Sequence, residues 1–527
     1  MSIGEIFHEE TNNWPDRRDS ARRLEFTREP ADNRPITFKE YAGLDSVELP
    51  LDALSRRTRS GVEVLSRGSE GNAQLDASGL SRILAFSAGI TRVIDTGMFI
   101  RYCRAASSAH SYPDVYVVCG DLAGIPAGAY HFHGLHLRLD RLRAGDFRAA
   151  LAKIAADPSI ARRPATVILA GVPWRAAWRY AERALRHVYW DCGGLLANMT
   201  AVADADGVAS RIVLGFVDAD VAALLGLDHV NEFPVALATF GTESSTAPAS
   251  PALTAMDIVA PALTTGTPVR FPLIEEAHHG GDLADSAGVL VWRNARAAAG
   301  TAASAWEGSA PSARRTIEET ILRRGSTRRL RLEAVPRAQL DWVVSAGIRP
   351  PHGDWLDPGR TLLEHYVLLF AVEGMRPGLY RVGSHGLDLL REQDLREQGR
   401  FLSLRQPQGG DGAYTTFHFA DLARITRSLG ARGYRAAQVQ GGYVLERLHL
   451  AAFAVGLGAT GLTFFDDAVQ KACGTNAAVM SEVAVGRPFY RAKRGGLGEG
   501  ATTITGRAFD FVRQRMKELD QPRPAAP

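Results

Sequence analysis

The residues best suited to chemistry crowd together near position 325. Leu322-Arg323-Arg324-Gly325-Ser326-Thr327-Arg328-Arg329 puts four guanidinium groups and two hydroxyls into one short stretch. Guanidinium forks bind phosphate bidentately and a serine adds a neutral donor, so the stretch reads as an anion cradle, with a solvated basic helix turn as the alternative. A second feature is Gly456-Leu457-Gly458-Ala459-Thr460-Gly461, which runs into Phe464-Phe465-Asp466-Asp467. Small residues there let backbone N–H groups approach a flat ligand closely. It follows no predicted strand, which counts against a dinucleotide-binding turn; a tight turn needing positive φ is the plainer reading. Third, Arg104-Ala105-Ala106-Ser107-Ser108-Ala109-His110 leads into the strand-like run DVYVVC at 114–119. Serines at a strand entrance usually cap or turn. His131 and His133 share one strand face with His136 past the turn, and without a local acid or cysteine they read as hairpin histidines, leaving no expected metal.

The elements that must position these groups are laid out twice. Residues 183–218 align with 432–467 at one spacing of 249 without a gap, and nine of the 36 pairs are identical. Roughly three would be expected by chance in a chain so rich in Ala, Leu, Gly and Arg. The identities include Arg183/Arg432, Arg186/Arg435, Gly193/Gly442, Gly207/Gly456 and Asp218/Asp467. Gly128-Ala129-Tyr130 and Tyr116 recur as Gly378-Leu379-Tyr380 and Tyr366 at spacing 250. So long a period means one domain duplicated and fused, so that a site between two subunits becomes a site between two halves.

Within the first half, periodicity predicts helix over 80–89 and 147–155, and strands over 114–119 and 234–241. A hairpin is predicted at 128–132 and 135–139, a buried strand at 165–172, and a long helix at 174–205. The second long helix is expected at 423–455. The fold class is α+β, with helices over a mixed sheet in each half. The boundaries expected are an arm at 1–45, a first domain at 46–242, an Ala/Gly/Thr-rich connector at 243–300, a second domain at 301–490, and a tail at 491–527.

Bulk properties exclude several classes. The net charge of +3 balances 61 basic against 58 acidic residues, too evenly for a nucleic-acid binder. Four scattered cysteines without a C-x-x-C pair read as reduced thiols in a cytoplasmic protein. The charged start MSIGEIFHEETNNWPDRR lacks a signal peptide's apolar core, and no run is long and apolar enough to predict a membrane span.

Taken in order, these motifs resemble the nitroreductase superfamily of FMN enzymes, and within it the SagB/ThcOx-type dehydrogenases that work beside azoline-forming cyclodehydratases. The resemblance is carried by FHEETN near the start, LSRILAFSAGITR at 80–92, the serine segment, AGAYHFHGLHLRLDRLRAGD at 127–146, RYAERALRHVYWDCGG at 179–194 and GFVDADVAALLGLD at 215–228. RRGSTRRL, PGLYRV, RGYRAAQVQGG, GLGATGLTFFDD and VAVGRP carry it in the second half. It implies two fused domains forming a pseudo-dimer, with FMN at their interface and further homodimerisation open. The implied flavin ligands are Arg323, Arg324, Ser326, Arg328, Gly458, Ala459, Thr460, Gly461 and Arg487 from the second half. Ser107, Ser108 and Ala109 join them from the first, where Ala106 replaces the family's proline. The reciprocal set is poorer, with Arg56-Arg57-Thr58-Arg59-Ser60 as an imperfect phosphate element and Arg211 in its loop, so one working site is expected.

The family's Lys-Tyr catalytic pair appears as Arg179-Tyr180, in which the arginine would favour a partial phenolate and Tyr180 would take a proton as hydride moves to the flavin. The alternative is that Tyr180 only packs among Trp174, Trp178 and Trp190. The activity implied is oxidation of azolines to azoles in a ribosomally made peptide, with dioxygen as electron acceptor and cyclodehydratase proteins as candidate partners. A reductase of dehydroamino acids or small electrophiles using reduced nicotinamide, and a catalytically degenerate peptide-binding scaffold, remain open beside it.

Overall fold

The computed structural model describes residues 1–16, 20–66, 71–97, 100–106, 111–244, 246–256 and 258–505. Two antiparallel sheets of one design form its frame. The first runs in the order Ser46–Glu48, Arg138–Ala144, Gly128–His133, Asp114–Cys119, Ala165–Gly171, Phe233–Phe240, Ser210–Val213. The second is Leu387–Glu392, Gly378–Val382, Leu363–Leu369, Tyr414–Ala420, Ala478–Gly486, Gly458–Gly461, the same order without the outermost strand. Register matches as well: Tyr116 faces His131 as Tyr366 faces Arg381, both pairs 250 apart. The central strands are buried along their length because helices cover them, so Ala165–Gly171 reads as an unbroken apolar run.

Between the sheets cross two 23-residue helices, Ala184–Asp206 and Arg432–Ala454. Their identical glycines meet at the crossing. A Cβ on Gly193 would lie 2.2 Å from the Val439 carbonyl oxygen, and one on Gly442 2.2 Å from that of Trp190. Only hydrogen at both positions lets the backbones approach so closely. The identical arginines reach across to the opposite half. Arg183 and Arg186 hold Asp466 at 3.0 and 2.6 Å, and Arg432 and Arg435 hold Asp218 at 2.5 and 2.7 Å. Each carboxylate opens a short helix, Asp466–Cys473 or Asp218–Leu225, where the positive helix end also favours it.

These contacts correct the gapless alignment. Asp218 corresponds to Asp466 and not Asp467, because one residue is missing between Gly456 and the strand Gly458–Gly461 relative to Gly207 and Ser210–Val213. The doublets Phe464-Phe465 and Asp466-Asp467 conceal the slip.

The predicted long helices each prove to be two. Pro173–Tyr180 ends at Ala181, whose φ is +48°, before Ala184–Asp206 begins. Leu422–Leu429 ends at Gly430, φ +59°, before Arg432–Ala454. Ala181 and Gly430 are 249 apart, so the first half keeps with an alanine a left-handed break that the second makes with glycine. The second hairpin strand starts at Arg138 rather than 135, since residues 134–137 make the turn and Leu137 has φ +54°. The connector carries the helices Pro272–His279, Ser286–Asn294 and Arg296–Ala299. Residues 502–505 return to the first half as a strand parallel to Ile90–Asp95 in a small three-stranded sheet. Among the described residues no helix is long and apolar enough to cross a membrane.

Candidate functional site

The anion-cradle motif lies where the halves meet. Thr316 caps the helix Ile317–Arg323, and the chain then turns outward and runs beside Gly458–Gly461. Ser326 bridges Ala459 in parallel register and the Thr327 N–H donates to the Ala459 carbonyl at 2.9 Å. What was expected to be a flavin loop is thus a strand, paired to Ala478–Gly486 on one side and to 326–327 on the other. Its small residues have a physical reason, since a Cβ on Gly458 would stand 2.6 Å from the Thr327 hydroxyl.

Three of the motif's arginines part company. Arg323 pairs outward with Glu319 at 2.5 Å. Arg324 is buried and already committed: its Nε and Nη2 donate to the Ala105 carbonyl at 3.1 and 2.9 Å, and its Nε lies 3.1 Å from Glu446. It thereby fastens the second half to the segment that enters 107–110. Arg328 lies within electrostatic reach of Arg101, Tyr490, Cys103 and Tyr180. Burial first, and the Arg101 charge second, push the Arg328 guanidinium below its ordinary range. Among the described residues neither Arg101 nor Arg328 has a carboxylate partner, and the buried Nε of Arg101 donates to nothing. Two neighbouring cations without a counter-ion repel each other until an anion joins them.

Ser107, Ser108 and Ala109 lie outside the described residues. The flanking chain is well anchored: Ser111 donates through its N–H and hydroxyl to Asp191, at 3.1 and 2.6 Å, and Tyr112 has φ +42°. Strain of that kind persists only where the surroundings enforce it. Arg487 does not reach this cluster; its Nε donates to the Ala334 carbonyl at 3.0 Å on the outer side.

Tyr180 faces the cations, but not as a phenolate. Burial raises its pKa, and Arg179, Arg101 and Arg328, which act to lower it, do not prevail. Arg179 turns to Glu29 at 3.3 Å with about half of its side chain in solvent. The packing partner of Tyr180 is not the predicted trio of tryptophans but His187, stacked at 4.1 Å, which in turn meets Trp190 edge-on at 4.8 Å. Trp174 packs on Phe26 and Phe271, and Trp178 bonds the Pro30 carbonyl. Sequence reasoning missed Arg101, His187 and Tyr490. Arg101 has no motif around it, and Tyr490 fell at the edge of the expected tail.

The reciprocal site is differently furnished. The helices Gly61–Ser66 and Ile317–Arg323 are equivalent, their starts bridged through Ser60 and Thr316. At that spacing of 256 the counterpart of 323–326 is 67–70, which lies outside the described residues, while Arg56–Ser60 precede the helix. Residues 352–354 lie along Ser210–Val213: Ile212 donates to the His352 carbonyl at 2.9 Å and Asp354 Oδ1 takes the Leu214 N–H at 2.8 Å. Arg211 is tied to Asp157 at 2.5 Å.

With this geometry in view, likeness to known proteins can be stated. The sequence model of the nitroreductase family matches residues 87–242. The crystal structure of a protein from Anabaena variabilis assigned as a nitroreductase has 25% identity and a TM-score of 0.70, covering 93% of this chain and all of its own. One assigned likewise from Ralstonia eutropha has 20% identity and a TM-score of 0.31, over 40% of this chain and 94% of its own. The E. coli microcin synthetase McbBCD complex with truncated pro-MccB17 gives 18%, 0.29, 46% and 94% for the same measures. No curated protein matches in sequence. The chain therefore carries a nitroreductase family domain over residues 87–242, followed by a second half built on the same strand order.

Proposed function

We propose that the chain is an FMN-dependent oxidoreductase with one working flavin site, between Gly325–Arg328, the strand Gly458–Gly461 and residues 100–106 of the first half. The observation that carries the reading is the neighbouring pair Arg101 and Arg328: neither has a carboxylate partner among the described residues, and the buried Nε of Arg101 has no hydrogen-bond partner, which suits a phosphate monoester. When bound, FMN supplies a two-electron acceptor or donor. In this reading Arg101 and Arg328 hold its phosphate, Arg324 keeps the two halves in register around it, and Ser326 and Thr327 line the edge of the strand. The reciprocal site is supported as the idle one by the backbone and the Asp354 carboxylate that already occupy the N–H groups of its edge strand.

The substrate we assign is an azoline in a ribosomally made peptide, oxidised to the azole. Two electrons and two protons leave the ring and dioxygen is the terminal acceptor, with cyclodehydratase proteins as partners. The motif resemblance supports this substrate class. One observation favours the reverse direction: Tyr180 is held as a neutral phenol, suited to donate a proton to a dehydroamino acid or small electrophile reduced with a nicotinamide donor. The purified chain decides between them. A yellow protein that removes two hydrogens from an azoline peptide under air supports the first. Oxidation of reduced nicotinamide with an electrophile, and no azole, supports the second. A colourless protein that takes up no FMN overturns both and leaves the peptide-binding scaffold.

A further inference from the structure

Away from the flavin site, three side chains from separate places in the chain converge on one oxygen atom. His229 Nε2 and His279 Nδ1 each lie 2.9 Å from Asp282 Oδ2. His279 ends the helix Pro272–His279 in the connector, and Asp282 follows after two glycines. His229 comes from the first half, on the loop after the helix Asp218–Leu225. That loop is built to present it. Asp228 Oδ1 accepts the N–H groups of Val230, Asn231 and Glu232 at 3.0, 2.8 and 3.1 Å, and His229 itself has φ +61°. A histidine in the left-handed region is held there by its surroundings.

We propose that His229, His279 and Asp282 form a binding site for one divalent cation of the zinc class, which fastens the connector to the first half. Two imidazole nitrogens and one carboxylate oxygen are a ligand set such an ion takes, leaving a fourth position for water. The two rings stand 4.8 Å apart at 64°, edges converging rather than faces stacked. All three side chains are 22–31% exposed, so an ion can enter and the fourth position opens to solvent. The carboxylate is oriented from behind: Arg435 Nη2 approaches Oδ1 at 3.4 Å, which leaves Oδ2 to the cation. Tetrahedral zinc needs its ligands about 3.3 Å apart; the two nitrogen–oxygen separations here are 2.9 Å and all three ligand atoms lie within 4.8 Å of one another. Glu40, His133 and His136 are a less defined cluster, because the Glu40 side chain is 61% exposed and the His133 Nδ1 is used by the His136 N–H.

The test uses the full chain, dialysed against a chelator and titrated with cobalt(II) chloride, then zinc. The expected result is a saturable cobalt d–d absorbance at one equivalent, displaced by zinc, with thermal stability rising as metal is added. His229→Gln and His279→Gln should each abolish the band while far-UV circular dichroism is kept; His136→Gln should leave it intact. Absence of a saturable band, or a band that survives both His229→Gln and His279→Gln, overturns the site and leaves two imidazoles hydrogen-bonded to Asp282.

Discussion

Arg328→Ala separates the two things an unpaired cation at this site can do. In the flavin-free chain Arg328 stands exposed near Arg101 and has no carboxylate partner among the described residues, so removing it orphans no acid and relieves a like-charge contact. The apoprotein should melt at the same temperature or higher, lost stem packing being set against lost repulsion. Flavin binding should move the other way. A charge-assisted contact contributes about 1.5–3 kcal/mol, which is roughly a 10- to 150-fold weakening of FMN. Riboflavin, which has no phosphate, should bind wild type and variant alike. Fluorescence titration of both flavins against both proteins, with calorimetric melting of the apo forms, gives all the numbers. Equal weakening for riboflavin would show that Arg328 does not touch the phosphate. A melting temperature lowered by several degrees would refute the premise that this charge is uncompensated.

Arg324→Ala should behave in the opposite sense for stability, because it strips the Ala105 carbonyl and Glu446 of a buried partner; the expected loss is about 3–5 kcal/mol in denaturant melts, and an unchanged midpoint would contradict it. Gly442→Ala drives a methyl to 2.2 Å from the Trp190 carbonyl oxygen, so the helices must part at a cost of about 1–3 kcal/mol or more, measured as a lowered melting temperature with the flavin loosened. Tyr180→Phe should keep fold and flavin and slow turnover roughly 100-fold or more; since burial raises this phenol, the wild-type rate should be flat through neutral pH and fall only on the far alkaline side. Glu482 is buried against the Ser403 hydroxyl and pushed up to about 8 from 4.5. Its raised folded value means that stability is fully present below about 4.5 and declines up to about 8, by about 1.4 kcal/mol per pH unit. Glu482→Gln should flatten that slope in melts at pH 5 and 8, and an unaltered slope would clear Glu482 of it.

Much of the frame was legible because it rests on periodicity and repetition. Asp114–Cys119 and Ala165–Gly171 are alternating or unbroken apolar runs, and each was placed to within a residue. The crossing glycines were visible as an identity, although a spacing cannot say that the two meet each other. What escaped depends on contacts between distant residues. The breaks at Ala181 and Gly430 lie inside sequences of good helical character, and alanine gives no warning of φ +48°. The flavin loop emerged as a strand because its pairing partners, 326–327 and 478–486, are far away in sequence. Arg324 and Arg328 look alike in a row of letters; only the fold sends one to carbonyl oxygens and the other to an unpaired cation.

The exchanged arginine pairs show how the two interface sites can differ within one frame, as the proposed one-site reading requires. Arg183 and Arg186 anchor the helix that follows the second half's edge strand, and Arg432 and Arg435 anchor that of the first. Each half is thus completed by buried charges from the other. Those contacts keep the twofold frame whichever site is in use. In a true dimer any change at one interface site would appear at both, since both come from one sequence. Fusion removes that constraint. Arg211 and Asp354 can stand where the strand Gly458–Gly461 needs only small residues, and they disturb nothing on the other side. The strained Ala181, 249 residues before Gly430, fits the same account, for it lies in the half that supplies Tyr180, where a fixed turn positions a side chain at the mouth of the site.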